Sequence, residues 1–162
     1  MNDIQNAIIE TARKYLGVKE IPDNRGWVDK LFEKAMKTAG WYNSANWCAF
    51  FMEMVWREAY HNLYPGRKDI QKLLGRLCSG NSQRTFRNFS KSGIFRTGSR
   101  PEPGAAVVWR YEGTRGHTAA AVTHAEESFF CSVEGNVRNG VISRIHRIDE
   151  PGRMGFIYPA MF

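Results

Sequence analysis

A chain of 162 residues, 43% hydrophobic and 24% charged, is long enough for one sizeable core, short for two, and too apolar to stay disordered throughout. No stretch approaches the roughly 20 apolar residues of a membrane span, and no basic start followed by an apolar run marks a signal peptide, so synthesis in the cytoplasm without membrane insertion is expected. Lys and Arg number 23 against 16 Asp and Glu, and the net charge of +7 favours anionic partners: nucleic acid, anionic lipid or an anionic wall polymer.

The first predicted element is an amphipathic helix over residues 3–16. Ile4, Ala7, Ile8, Ala12 and Tyr15 recur at helical spacing, Asn2 or Asp3 can cap it, and Gly17 stops it. A turn-rich segment, 21–26, follows. A second helix is predicted over 27–39 with Trp27, Leu31, Ala35 and Ala39 in one stripe. The third, about 47–60, is apolar almost all round from Trp47 to Trp56, the pattern of a helix buried in mid-fold. Weaker helices are predicted at 68–77 and 82–90. From Pro101 strands alternate with turn signals: 105–110, 117–123, 128–135, 141–148 and 155–159, with Asn139-Gly140 as a hairpin turn. Helices first and strands second point to an α+β fold, N-terminal helices on an antiparallel sheet of about five strands, in a single domain over 1–162.

Cys48 stands at the start of the buried helix. Free N–H groups and partial positive charge at a helix N-terminus stabilise a thiolate and can hold an oxyanion. A small buried hydrophobe is the plainer reading of the same residue. With three cysteines at least one thiol is free; Cys78 and Cys131 read as core thiols. A nucleophilic cysteine needs a histidine. His61 and His124 fall in expected loops or turns, and His146, between Arg144 and Arg147, reads as exposed. His117 opens a strand of small residues, Thr118 to Ala121, against which a helix carrying Cys48 could pack closely. If 117–123 and 128–134 form a hairpin, His117 faces Glu134, Ala119 faces Ser132 and Ala121 faces Phe130. That places a carboxylate within reach of the imidazole. Asn136, two residues on, returns to the same face and could orient His117 or help hold an oxyanion.

In this order the residues resemble the CHAP domain (cysteine, histidine-dependent amidohydrolase/peptidase) of the papain-like, NlpC-type peptidoglycan hydrolases. The matching segments are Trp47-Cys48-Ala49-Phe50-Phe51, Pro103-Gly104, Gly116-His117, Val133-Glu134-Gly135-Asn136 and Gly155-Phe156-Ile157-Tyr158-Pro159. Residues 16–26, with Glu20 and Asn24, are similar to the N-terminal signature of one subgroup. The resemblance implies a papain-like fold and a thiol hydrolase cutting amide bonds of cell-wall peptide, as a muramoyl-alanine amidase or an endopeptidase. Cys48 is then the nucleophile, His117 the base, Glu134 the third member and Asn136 a supporting residue. Asn46, Asn43, Asn24 and Asn136 are all open as the oxyanion side chain, and Glu20 and Trp47 are candidates for the substrate side of the site; a structured turn is the alternative for Glu20 and Asn24.

Two departures from the family bear on partners. Ala105 stands where an acidic residue often follows the Pro-Gly pair. Residues 39–47 hold no Asp or Glu, so the calcium site of some phage members is not expected, and no metal or cofactor is. Peptidoglycan is the expected partner, with a monomer acting in the periplasm or wall. Delivery would be by holin release of a phage endolysin or by a secretion system, which would add an immunity or delivery partner. Competing readings are a basic nucleic-acid-binding module, disfavoured by scattered arginines and no recognisable motif, a zinc site, disfavoured by the absence of Cys-x-x-Cys or His-Glu-x-x-His spacing, and an inactive relative of the hydrolases.

Overall fold

Five helices precede seven strands in the computed structural model, which describes residues 1–162. The first helix, α1 (Asp3–Lys14), begins with a reciprocal capping box: Asn2 Oδ1 accepts from the Gln5 N–H and Gln5 Oε1 accepts from the Asn2 N–H. Helix α2 (Lys30–Thr38) starts three residues later than the sequence suggests, because Asp29 caps the N–H groups of Leu31 and Phe32. This later start changes the buried stripe. Phe32 and Met36 point inward, whereas Leu31 is 82% exposed. Trp27 is buried from outside the helix, where it bridges to Glu20.

Helix α3 (Cys48–Leu63) is the centre of the molecule, with every residue from Cys48 to Trp56 buried. No side chain caps its start. Its stability comes from burial, at about 2 kcal/mol for each large apolar side chain such as Phe51, Val55 or Trp56. A cluster of edge-to-face rings packs around its first turn: Trp27 lies 5.1 Å from Trp47, 4.8 Å from Trp41 and 5.0 Å from Phe32. Helices α4 (Lys68–Leu77) and α5 (Ser82–Lys91) close the helical half.

The strands form two antiparallel sheets. One has the order β1 (Thr97–Gly98), β7 (Arg153–Ile157), β2 (Ala106–Arg110), β3 (Gly116–Ala119). The other has the order β4 (Ala121–Ala125), β5 (Phe129–Val137), β6 (Gly140–Arg147). The coarse α+β class thus holds, but the single sheet is replaced by two. The segment expected as one strand over 117–123 breaks at Ala120, whose carbonyl accepts from Trp56 Nε1 at 2.9 Å. Before the break the chain pairs with β2; after it, with β5. The row of small residues does lie against α3, as Ala120 and Ala121 share its core cluster.

The break also corrects the hairpin register. Ala121 pairs with Val133 and Val122 with Ser132, and an irregularity before His124 shifts the remainder. His117 pairs with Trp109 of β2 and not with Glu134. The β5–β6 hairpin forms where expected, one residue early: Val137 pairs with Gly140, and Arg138 and Asn139 occupy the turn at φ 50° and 57°. Cys78 is buried, whereas Cys131 is only half-buried and is not the core thiol expected. His61 lies in the last turn of α3 and His124 on β4, both outside the loops expected for them. No helix is long and apolar enough to cross a membrane.

Gly135 sets how closely β5 approaches α3. A Cβ there would stand 2.5 Å from Trp47 Cζ3 and 2.8 Å from Phe51, both fully buried and unable to yield. Gly135→Ala is therefore expected to cost about 2 kcal/mol through overpacking, read as a lower urea midpoint. It should also reduce any activity of the site that β5 builds with the start of α3.

Candidate active site

Cys48 is the first residue of α3, 8% exposed, and the N–H groups of that first turn have no side-chain cap. It opens onto a cleft of about 390 Å³ lined by Asn46, His117 and Asn136 on one side and by Tyr111, Thr114 and Arg115 on the other. The second wall is the loop between β2 and β3, held by the start of α5. Gln83 Nε2 donates to the carbonyls of Gly113 (3.0 Å) and Arg115 (2.7 Å), and Asn81 Nδ2 to that of Thr114 (3.1 Å). Gly116 admits this contact, since a Cβ there would lie 2.6 Å from Ser82 Oγ and 2.5 Å from the Trp109 carbonyl.

His117 is buried and stacks on its cross-strand neighbour Trp109, with ring centroids 5.7 Å apart. Its Nε2 lies 2.8 Å from Glu134 Oε2. That engagement leaves Nδ1 as the ring nitrogen available to the Cys48 thiol, which lines the same cleft. Burial alone would push the imidazole down. The Cys48 and Glu134 side chains outweigh it and raise His117 to about 9. The Cys48→Ala variant should therefore show a His117 midpoint below about 9 in an NMR titration, because one raising partner is lost while burial remains.

Glu134 is completely buried yet has donors on both oxygens. On Oε2 are His117 and, at 3.3 Å, Arg144 Nη1. On Oε1 are Ser132 Oγ at 2.6 Å and His146 Nε2 at 2.5 Å. Burial opposes ionisation, but the contacts with His117, His146 and Ser132 hold the carboxyl well below its ordinary range. The hydrogen bond expected between His117 and Glu134 thus forms, by a different route: the bend at Ala120 brings His117 over β5.

Three asparagines meet at the cleft. Asn46 Oδ1 accepts from Nδ2 of both Asn24 and Asn136, each at 3.4 Å. Asn24 and Asn136 have positive φ, 53° and 63°, a conformation asparagine tolerates better than most residues. Asn136 is bonded to Asn46 and not to His117, so the orienting contact on the imidazole comes from Glu134. Asn43 is exposed and takes no part in this network.

Glu20 and Trp47 lie beneath the site and do not line the cleft. Trp47 is fully buried, and its indole N–H donates to Glu20 Oε2 at 2.5 Å. Burial raises the Glu20 carboxyl and this N–H works against the rise. The pair ties the turn 21–26 to the residue preceding Cys48, and so sets where α3 begins.

Sequence reasoning missed His146. Expected at the surface, it is 4% exposed and bonded to Glu134. Its neighbours Arg144, Ile145 and Arg147 are all exposed, and His146 alone among them turns inward. The usable signal was the β5–β6 turn, which puts His146 opposite Phe130 and on the face of Ser132 and Glu134.

No group of three or more His, Cys, Asp or Glu side chains is placed to hold a metal ion. The chain matches no family model, no curated protein and no solved structure.

Proposed function

We propose that the protein is a papain-like, CHAP-type thiol hydrolase that cleaves amide bonds in cell-wall peptide. The observation that carries this reading is one cleft holding Cys48, at an uncapped helix start, and His117, which is hydrogen-bonded to the ionised Glu134. The buried carboxylate orients the imidazole and supports its cationic form, the acid that a leaving amine needs.

In the reaction the Cys48 sulfur attacks the amide carbonyl and forms a C–S bond, and the carbonyl electron pair moves onto oxygen. The free N–H groups of the first α3 turn, with an asparagine amide from Asn46 or Asn136, stabilise that oxyanion. His117 gives its proton to the amide nitrogen as the C–N bond breaks and the amine leaves. Water then attacks the thioester, His117 takes its proton, and cleavage of the C–S bond restores the thiolate. The net charge of +7 suits an anionic wall. Release through a phage holin or export by a secretion system would bring the enzyme to that wall.

Digestion of purified sacculi tests the reading, with soluble products identified by mass spectrometry. Release of peptide fragments by the wild type and not by Cys48→Ala supports it, and the fragment masses separate amidase from endopeptidase. No release from any of several wall chemistries sinks it. Equal release by both proteins removes Cys48 as the nucleophile.

A further inference from the structure

The reaction above leaves the buried His146 unused. Its side chain is 3% exposed, and both of its ring nitrogens face carboxylates: Nε2 lies 2.5 Å from Glu134 Oε1 and Nδ1 lies 2.9 Å from Glu150 Oε2. An ionised carboxylate accepts hydrogen bonds and cannot donate them, so the nitrogen that faces Glu134 is the one that carries hydrogen. The ring is fixed between Trp109, 4.7 Å away, and Phe130, 5.1 Å away and nearly parallel. Charges reach this assembly from every packed element. Arg144 comes from the strand of His146 itself, Glu134 from β5, His117 from β3 across the carboxylate, and Glu150 from the turn after β6. Arg153 of β7 lies over the Phe130 ring at 6.0 Å.

We propose that His146 is a positioning residue of the thiol site: gripping Glu134 from the oxygen opposite His117, it fixes the carboxylate plane and divides its charge, so that His117 keeps a proton it can still give up. The inference rests on the Cys48–His117 reading of the site. A carboxylate serving His117 alone would hold the imidazolium more tightly and weaken it as the acid that protonates the leaving amine. A second donor on Oε1 relaxes that hold, because it competes for the carboxylate charge. Glu150 holds the far nitrogen and keeps the ring in place.

The wild-type protein gives the first test. Long-range proton–nitrogen NMR should show hydrogen on His146 Nε2, the nitrogen facing Glu134, and a bare Nε2 overturns the proposal. Two variants give the second. His146→Gln keeps a donor for Oε1, and His146→Leu removes it. The readouts are the His117 NMR midpoint and the pH dependence of Cys48 alkylation by iodoacetamide, neither of which needs a wall substrate. The His117 midpoint should rise by about one pH unit in His146→Leu and by less in His146→Gln, with the alkylation profile moving alike. On sacculi, kcat should fall about 10-fold at unchanged KM. A folded His146→Leu protein whose His117 titrates as in the wild type reduces His146 to a packing residue, whatever its activity. If His117 moves but no sacculus is digested by the wild type, the positioning role stands and the hydrolase reading falls.

Discussion

Cys48→Ala is expected to lower the rate of sacculus digestion by about 10,000-fold or more while leaving the fold intact. The magnitude follows from the division of labour in the site. In the proposed mechanism His117 and Glu134 act only through the sulfur, so removing it strands both, and what remains is binding in the cleft and the helix N-terminus. The stability change should stay within about 1 kcal/mol, because alanine suits a first helical turn and only a small side chain, 8% exposed, is cut back. Cys48→Ser sharpens the test. Its hydroxyl keeps a polar group in the cleft beside His117, but a serine alkoxide is far harder to form than a thiolate, so a loss of about 1,000-fold or more is expected with the cleft unchanged. Dye release from labelled sacculi measures the rates, and thermal melts establish that both variants are folded. A serine variant with near wild-type rate would mean that the sulfur is not the attacking atom.

The helices were legible because each states its periodicity and its limits locally. The segment 68–77 is helical over the predicted residues, and α1 starts at its Asn2 cap. Helix α2 misled because Trp27 looks like the head of a stripe. Asp29, two residues on, is a stronger start signal, and counting from it puts Phe32 and Met36 inside and Leu31 outside. The strand 117–123 was legible as extended chain, but its bend was not. What bends it is the Trp56 indole taking the Ala120 carbonyl, a contact between residues 64 apart that no local pattern announces.

The candidate site was legible for a related reason. Buried catalytic groups need partners, so a strand-opening histidine and a strand glutamate in an otherwise apolar region point to one another even when the register joining them is misjudged. Polarity misled at β6. The flanking Arg144 and Arg147 suggest an outward His146, but the surface it faces is lined by Glu134 and Ser132, and His146 is buried there. A hydrophobic inside is the rule for a core; beside a buried carboxylate the inside is polar. The asparagine cluster stands between these cases. Asn24, Asn46 and Asn136 were each suspected, but the bonds that join them depend on two positive-φ turns from opposite ends of the chain.

Glu134→Gln is expected to lower kcat/KM on sacculi by about 1,000-fold and to destabilise the fold by about 3 kcal/mol near pH 6. The amide nearly matches the carboxylate in shape, so the loss is one of charge. Arg144 is left facing a neutral group, His117 loses its counterion, and an NH₂ replaces one acceptor oxygen. The dependence on pH separates this from a packing defect. Glu134 is held below its ordinary carboxyl range, so it contributes stability above about pH 4.5 that is lost as the pH falls toward its folded value. His117 is raised from 6.5 to about 9, so its contribution is full below 6.5 and is lost as the pH rises through 9. Both contributions are present together between about pH 5 and 6.5, and there the gap between wild type and variant should be widest. It should narrow above pH 9, where His117 is neutral in either protein, and in acid, where the wild-type carboxylate takes up its proton. Urea midpoints at pH 4, 6 and 9.5 measure the gap. A difference that is constant across the three would assign the loss to packing and detach Glu134 from the electrostatics of His117. A difference that peaks at pH 6 identifies the buried carboxylate as the charge that holds the proton on His117, the same charge that the thiol chemistry needs.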